Sequence, residues 1–297
     1  MAEPASGAVV AFLGTGLMGR PMVERLLAAG RRVLVWNRSR DKLDPLVALG
    51  ARALATPAEA ARDADLVLAC LMDTAAVERC VFGDDGLAAV AAPRATVFVD
   101  HSSIRPEATR EMAARLAGAN GLRWVDAPVS GGVGGARAGT LAVMCGGDPE
   151  AVALAEPALR AYAGAVTRMG PCGAGQTTKL VNQMIVASTI ATVSEAVSVA
   201  RAAGVDAGRL PEALAGGWAD SRPMQVFVPR MTAGFDAPIG ALSTMLKDVD
   251  TALDLARGVD APAPVTALVQ QLLRLQVARG HADDDLATLA ALYAGRT

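Results

Sequence analysis

A change of pattern near Met169 divides this 297-residue chain. Before it, short apolar runs alternate with helical patterns. The runs are Ala8–Leu13, Val33–Trp36, Leu66–Leu71, Thr96–Val99, Trp124–Asp126, Leu141–Cys145 and Ala165–Arg168. Helical periodicity falls at Met22–Ala29, Asp41–Leu49, Ala75–Cys80, Pro106–Ala117 and Pro149–Tyr162. Strands that alternate with helices pair in parallel through βαβ crossovers, so the pattern predicts an α/β domain over 1–168. After Met169 strand signal almost vanishes, which predicts an all-helical domain over 169–297. A long helix, about Gly175 to Ala203, leads from one to the other. Further helices are expected near Ala207–Gly216, Pro223–Thr232, Leu242–Gly258, Pro264–Gly280 and Asp283–Ala294.

Aromatic residues are only 3% of a chain that is 52% apolar, so Ala, Val and Leu must build the core. The formal charge of −2 comes from scattered acids and bases, with no basic stripe to track phosphates, which argues against a nucleic-acid partner. Cys70, Cys80, Cys145 and Cys172 form no CxxC pair and only His101 and His281 are present, so no metal site is expected. Small reduced cysteines and a start without a basic n-region fit a cytoplasmic protein. Met184–Ala200 is apolar, but Ser188, Thr189, Thr192, Ser194 and Glu195 interrupt it. It reads as a helix buried in protein on most sides rather than a membrane span.

The first strand runs into Gly14-Thr-Gly-Leu-Met-Gly19, a GxGxxG loop followed by a helix. Gly14 permits the tight turn, Gly16 lets a pyrophosphate approach the backbone, and Gly19 allows close helix–strand packing. Leu17 and Met18 lie inside the same loop. This context predicts dinucleotide binding. At the end of the second strand stand Asn37, Arg38 and Ser39, with no acid before Asp41. A carboxylate there would accept from a ribose hydroxyl and repel a 2′-phosphate, whereas Arg38 suits the phosphate. The preference expected is NADP(H), with NAD(H) a possible substitute.

In Gly170-Pro-Cys-Gly-Ala-Gly-Gln-Thr-Thr-Lys-Leu-Val-Asn-Gln183, Lys179, Asn182 and Gln183 share one face of one helical turn. Burying such a lysine is expensive unless it has a use. Beside a dinucleotide site, that use is proton transfer.

Taken together, these residues resemble the β-hydroxyacid dehydrogenase family. It includes 3-hydroxyisobutyrate dehydrogenases, tartronate semialdehyde (2-hydroxy-3-oxopropionate) reductases and glyoxylate/succinic semialdehyde reductases, and is 6-phosphogluconate dehydrogenase-like. The resemblance rests on Gly14–Gly19 with Arg20-Pro21, Asp100-His-Ser-Ser103, Asp126-Ala-Pro-Val-Ser-Gly-Gly132 running to Gly139-Thr-Leu141, the Lys179 segment and Lys247-Asp248. It implies an N-terminal Rossmann domain, a mostly parallel doubly wound sheet, joined by a long helix to an all-α C-terminal domain, usually in homodimers or homotetramers. By resemblance Lys179 is catalytic, and Ser130, Gly131 and Gly132 hold the substrate carboxylate. Leu71, Met72 and Ser103 line the cofactor, and Lys247 lies near its nicotinamide. Either Asn182 or Gln183 meets the substrate.

The activity implied is NADPH-dependent reduction of a small semialdehyde or keto acid, reversible as a 3-hydroxyacid dehydrogenase. A donor aimed at the oxygen that gains charge lowers the barrier, and a lysine can also deliver the proton. Imine reductases share the glycine loop and the two-domain plan but generally lack a lysine at this position. A silent NADP(H)-binding assembly module is the reading from another class, and it too goes with loss of that lysine. For His101, Ser103 and the Ser130 turn, the plainer alternatives are a structural histidine, a cap for the helix after Pro106, and a simple turn.

Overall fold

The structure, a computed structural model, describes residues 7–293. The chain divides into two compact units, one ending at Lys179 and the second beginning at Leu180.

The first unit is a nine-stranded sheet with helices on both faces. Its early part is a regular alternation: β1 (Val9–Leu13), α1 (Gly19–Ala28), β2 (Arg32–Trp36), a short helix α2 (Asp44–Val47), β3 (Arg52–Ala53), α3 (Pro57–Asp63), β4 (Leu66–Ala69), α4 (Thr74–Phe82), β5 (Val97–Asp100), α5 (Pro106–Asn120) and β6 (Arg123–Asp126). These strands pair in parallel in the order β3-β2-β1-β4-β5-β6. The order reverses beside β1, which places the carboxyl ends of β1 and β4 at the topological switch point, where ligands of such sheets bind. Alternate residues of β1 go to opposite faces: Val10 and Phe12 join one core, Val9, Ala11 and Leu13 the other. Burial on both sides explains why these strands read as continuous apolar runs.

Beyond β6 the parallel rule breaks. Asp126 leads to β7 (Val129–Ser130) and α6 (Gly132–Ala138), and then to β8 (Leu141–Gly146). The last strand runs antiparallel to both β6 and β7. After α7 (Pro149–Leu159), β9 (Ala163–Gly170) pairs with β8 in parallel. Sequence periodicity does not reveal α6 because Gly-Val-Gly-Gly-Ala-Arg-Ala has poor helix propensity. Packing against α1 outweighs it.

The helix α8 (Ala174–Ala202) begins in the first unit and continues into the second. There it is followed by α9 (Leu210–Ala213), α10 (Arg222–Ala233), α11 (Leu242–Gly258) and α12 (Pro264–Ala278). Ile190, Leu242, Val249, Leu273 and Leu289 form the core of this unit.

Several expectations need correction. Asp41–Leu49 is a 3-10 turn, Arg40–Leu43, running into α2, because Pro45 sits at the start of a new helix. Ala207–Gly216 is likewise a 3-10 turn plus the single turn of α9. The last segment is 3-10 over Leu286–Tyr293, and Ala294 lies outside the described residues. The apolar stretch of α8 is not covered on most sides: only 33% of its most apolar part is buried, and Ile185 and Val199 are exposed. By length and composition this helix is apolar enough to cross a membrane. Within the unit it packs one face, Ala187, Ile190 and Ala191, into the helical core.

Candidate functional site

The glycine loop follows β1 at the switch point. Gly14 has φ +95°, and a Cβ there would stand 2.4 Å from the Cys70 carbonyl oxygen. A Cβ on Gly19 would lie 1.9 Å from the Gly14 carbonyl oxygen, so the third glycine is imposed by the close approach of α1 to the loop. Gly16 differs, since nothing lies within 4 Å of its would-be Cβ and its φ is not positive. Neither fold nor backbone requires glycine there. A ligand pressed against the backbone would, so the residues present fit a dinucleotide pyrophosphate. Leu17 is 85% and Met72 80% exposed at the same end of the sheet, two large apolar side chains placed where a cofactor would cover them.

Asn37 links this loop to the end of β2. Its Oδ1 accepts from the Thr15 amide at 3.1 Å and its Nδ2 donates to the Ser39 carbonyl at 2.9 Å. The asparagine thus shapes the loop through its oxygen and one of its two amide hydrogens. Arg38 is exposed and Ser39 half-buried. Met18 is half-buried against the sheet core.

The loops after β4 and β5 are tied together. The Leu71 amide donates to Ser102 Oγ at 2.9 Å, and the Ser102 amide donates to Asp100 Oδ1 at 2.9 Å. Ser103 is half-buried and is not at the capping position of α5, which is Arg105. His101 is buried. Its Nδ1 lies 2.6 Å from the Ala127 carbonyl and its Nε2 2.8 Å from the Tyr162 hydroxyl. Burial pulls its pKa down to about 4, so it is a neutral structural histidine. Asp100 is fully buried at the carboxyl end of β5. Its Oδ2 has no hydrogen-bond partner, and burial pushes its carboxyl up to about 7.

Lys179 lies in the second turn of α8, half-buried, and its Nζ donates to the Val129 carbonyl at 2.9 Å. That carbonyl immediately precedes Ser130, so the ammonium is held against the strand that turns through Gly131 and Gly132. Both glycines have positive φ, +126° and +60°, and Gly131 caps α6. The start of α8 is drawn tightly onto the sheet. A Cβ on Gly175 would stand 2.4 Å from the Met144 carbonyl oxygen. Asp126, buried at the end of β6, accepts from the Gly173 amide at 2.7 Å and the Gln176 amide at 2.8 Å. A carboxylate on the first turn satisfies orphan amides and complements the helix dipole. Burial raises the Asp126 pKa, while these amides hold it down.

In the second unit, Gln183 is buried with its amide engaged on both sides. Its Oε1 accepts from Asn182 Nδ2 at 2.9 Å and its Nε2 donates to Asp248 Oδ2 at 2.7 Å. Lys247 Nζ lies 3.2 Å from Asp248 Oδ1. Sequence reasoning missed Val129, Asp126, Gln176 and Asp248 as partners. Gln176 left a signal of spacing, since it stands three residues before Lys179 and shares its face, while Asp126, Val129 and Asp248 stood only as members of the motifs that carry the resemblance.

Two family models cover almost the whole chain. The NAD binding domain of 6-phosphogluconate dehydrogenase matches residues 9–170, and the NAD-binding domain of NADP-dependent 3-hydroxyisobutyrate dehydrogenase matches residues 173–293. The 3-hydroxyisobutyrate dehydrogenase of Pseudomonas aeruginosa is 36% identical over 97% of this chain and 99% of its own. The 2-hydroxy-3-oxopropionate reductase of Escherichia coli is 36% identical over 94% of each. The solved structure of Mycobacterium tuberculosis 3-hydroxyisobutyrate dehydrogenase with L-serine matches with a TM-score of 0.85 at 31% identity, covering 97% of this chain and 100% of that one. With a parallel dinucleotide sheet, a helical second unit and these relatives, the chain belongs to the β-hydroxyacid dehydrogenase family and is a nicotinamide-dependent oxidoreductase.

Proposed function

We propose that this enzyme is an NADPH-dependent reductase of a small semialdehyde or keto acid, reversible as a 3-hydroxyacid dehydrogenase, with Lys179 as proton donor and acceptor. The observation that carries the reading is the Lys179 ammonium, half-buried and held at 2.9 Å by the carbonyl that precedes the Ser130-Gly131-Gly132 turn. The nicotinamide, when bound, supplies hydride to the carbonyl carbon. The residues of the chain manage the oxygen, the carboxylate and the proton. Ser130 offers a hydroxyl, and Gly131 and Gly132 offer a backbone without bulk, to a carboxylate on the substrate. Lys179 exchanges the Val129 carbonyl for the substrate oxygen, stabilises the charge that grows there and protonates it; in the oxidative direction it takes the proton back.

Asn182 and Gln183 are bonded to each other and Gln183 also to Asp248, and one of these two amides is assigned to the substrate. The cofactor is assigned to Gly14, Gly16, Leu17, Met18 and Gly19, with Leu71, Met72 and Ser103 along it and Lys247 beside its nicotinamide nucleotide. Asn37 holds the loop, while Arg38 and Ser39 take the 2′-phosphate. The NADP(H) preference is supported by an exposed Arg38 and by the lack of an acid at the end of β2. Assembly as a homodimer or homotetramer is supported by Val265, Leu268 and Leu275, exposed at helical spacing on α12. A cytoplasmic location is supported by four cysteines without a disulfide.

The test is NADPH oxidation over a panel of small aldehyde and keto acids, with L-serine and 3-hydroxyisobutyrate in the oxidative direction. Lys179→Ala is expected to keep NADPH binding and lose at least about 100-fold in kcat. Turnover within a few-fold of the parent would refute the role of the lysine.

A further inference from the structure

We propose that Gln176 is a positioning residue, locking the helical turn that carries Lys179 to the Ser102–Ile104 segment along which the cofactor is assigned. The inference deepens the function proposed above and rests on it.

Gln176 is 1% exposed, and both polar atoms of its side chain and its backbone amide are hydrogen-bonded. Its backbone amide donates to Asp126 Oδ2 at 2.8 Å. Its side-chain Nε2 donates to the Ser102 carbonyl at 2.6 Å, and its Oε1 accepts from the Ile104 amide at 3.3 Å. One side chain therefore grips both edges of the segment that contains Ser103. The chain of bonds continues: Ser102 Oγ accepts from the Leu71 amide, beside Met72. Asp126 closes the other end by holding Gly173 and Gln176 together at 2.7 and 2.8 Å. Four points that the reaction needs in register are thus joined by hydrogen bonds, buried except for the half-buried one from Leu71: the lysine turn, the loop after β5, the loop after β4 and the end of β6.

A buried amide that only filled space would be replaceable by an apolar residue of the same length. This one spans 72 and 74 residues of sequence to meet two backbone groups that no strand ladder satisfies. Buried polar networks of this kind fix one geometry. Hydride transfer is sensitive to that geometry, since a displacement near 1 Å costs about 100-fold in rate.

The experiment compares wild type with Gln176→Met, which keeps length and removes both bonds, and Gln176→Glu, which keeps the acceptor for Ile104 and removes the donor to Ser102. Two quantities are read well below the melting temperature. The first is hydrogen–deuterium exchange of residues 101–105 and 173–180, expected to quicken at least about tenfold in Gln176→Met. The second is steady-state kinetics with NADPH and the best substrate of the panel. There kcat is expected to fall about 30- to 100-fold, while KM and the NADPH Kd stay within about threefold. Gln176→Glu is expected to lie between the two. If Gln176→Met does not fold, the same readings on Gln176→Glu decide.

Unchanged exchange over 101–105, or kcat within about threefold of wild type in a folded variant, overturns the proposal. So does a loss of kcat matched by an equal loss of NADPH affinity, which marks general loosening. Should wild type reduce nothing on the panel, the proposed function fails separately, and the exchange measurement alone decides whether Gln176 couples the two segments.

Discussion

Asp100 stores a pH dependence that can be measured directly. Its carboxyl is fully buried, Oδ1 accepts from the Ser102 amide and Oδ2 has no partner. Burial, reinforced by the neighbouring Asp126 charge, raises its pKa from 3.8 to about 7. The folded state therefore holds a proton that the unfolded state releases. The stability this proton gives is complete below pH 3.8 and is lost as pH rises through 7. Asp100→Asn keeps an oxygen for Ser102, places a neutral amide at the unpartnered position and cannot ionise. Between pH 5 and pH 8 wild type crosses two pH units of this range, at 1.36 kcal/mol each. The variant should thus gain about 3 kcal/mol on wild type over that interval. Urea unfolding of both proteins at pH 5, 6, 7 and 8 measures the difference. A difference that stays flat with pH would refute the reasoning, because it would mean that the carboxyl is ionised in the native state throughout.

Arg38→Asp should lower the ratio of kcat/KM with NADPH to that with NADH by at least about tenfold, since a charge-assisted fork to the 2′-phosphate is exchanged for repulsion; a wild-type ratio below one would defeat the cofactor assignment. Gly16→Ala and Gly19→Ala should part company. The first meets open space and should unfold like wild type while binding NADPH at least about tenfold more weakly, whereas the second drives a Cβ into the Gly14 carbonyl and should lower the thermal midpoint. In the helical unit, Asp285 is fully buried and accepts from Arg230 Nη2 at 2.8 Å, the Ile239 amide at 2.7 Å and the Ala287 amide at 2.9 Å. Asp285→Ala removes the acceptor of all three, leaving Arg230 only the Ala237 carbonyl, and should cost about 3–5 kcal/mol in urea unfolding.

What could be read in the sequence was whatever depends on neighbours along the chain. The strands showed because burial on both faces demands runs such as Val9–Leu13, and the glycine loop showed because it needs three special residues within six positions. The short helix α3 also carried its signal, Thr56-Pro57 with Glu59, and the structure has Thr56 accepting from the Glu59 amide and Glu59 accepting from Ala55. That signal went unread because the apolar pattern around it is only Ala. By contrast α6, with three glycines among seven residues, is helical against its own propensity.

The site divides along the same line. Lys179 stood out because a lysine in an apolar helix contradicts its surroundings, and a contradiction is visible locally. Its anchors were invisible for the opposite reason. Asp126 lies at a strand end where an acid is ordinary, and only the fold places Gly173 and Gln176 within 2.8 Å of it. Gln183 and Asn182 were equivalent on a helical wheel until Asp248, 65 residues away, took up one of them. Reactive groups are therefore legible because they are out of place locally, and positioning groups are not, because each is in place and acts through a contact that the sequence does not contain. The consequence for this chain is concrete: substitutions at Asp126 or Gln176 leave Lys179 and the Gly14–Gly19 loop intact and should still shift its rate.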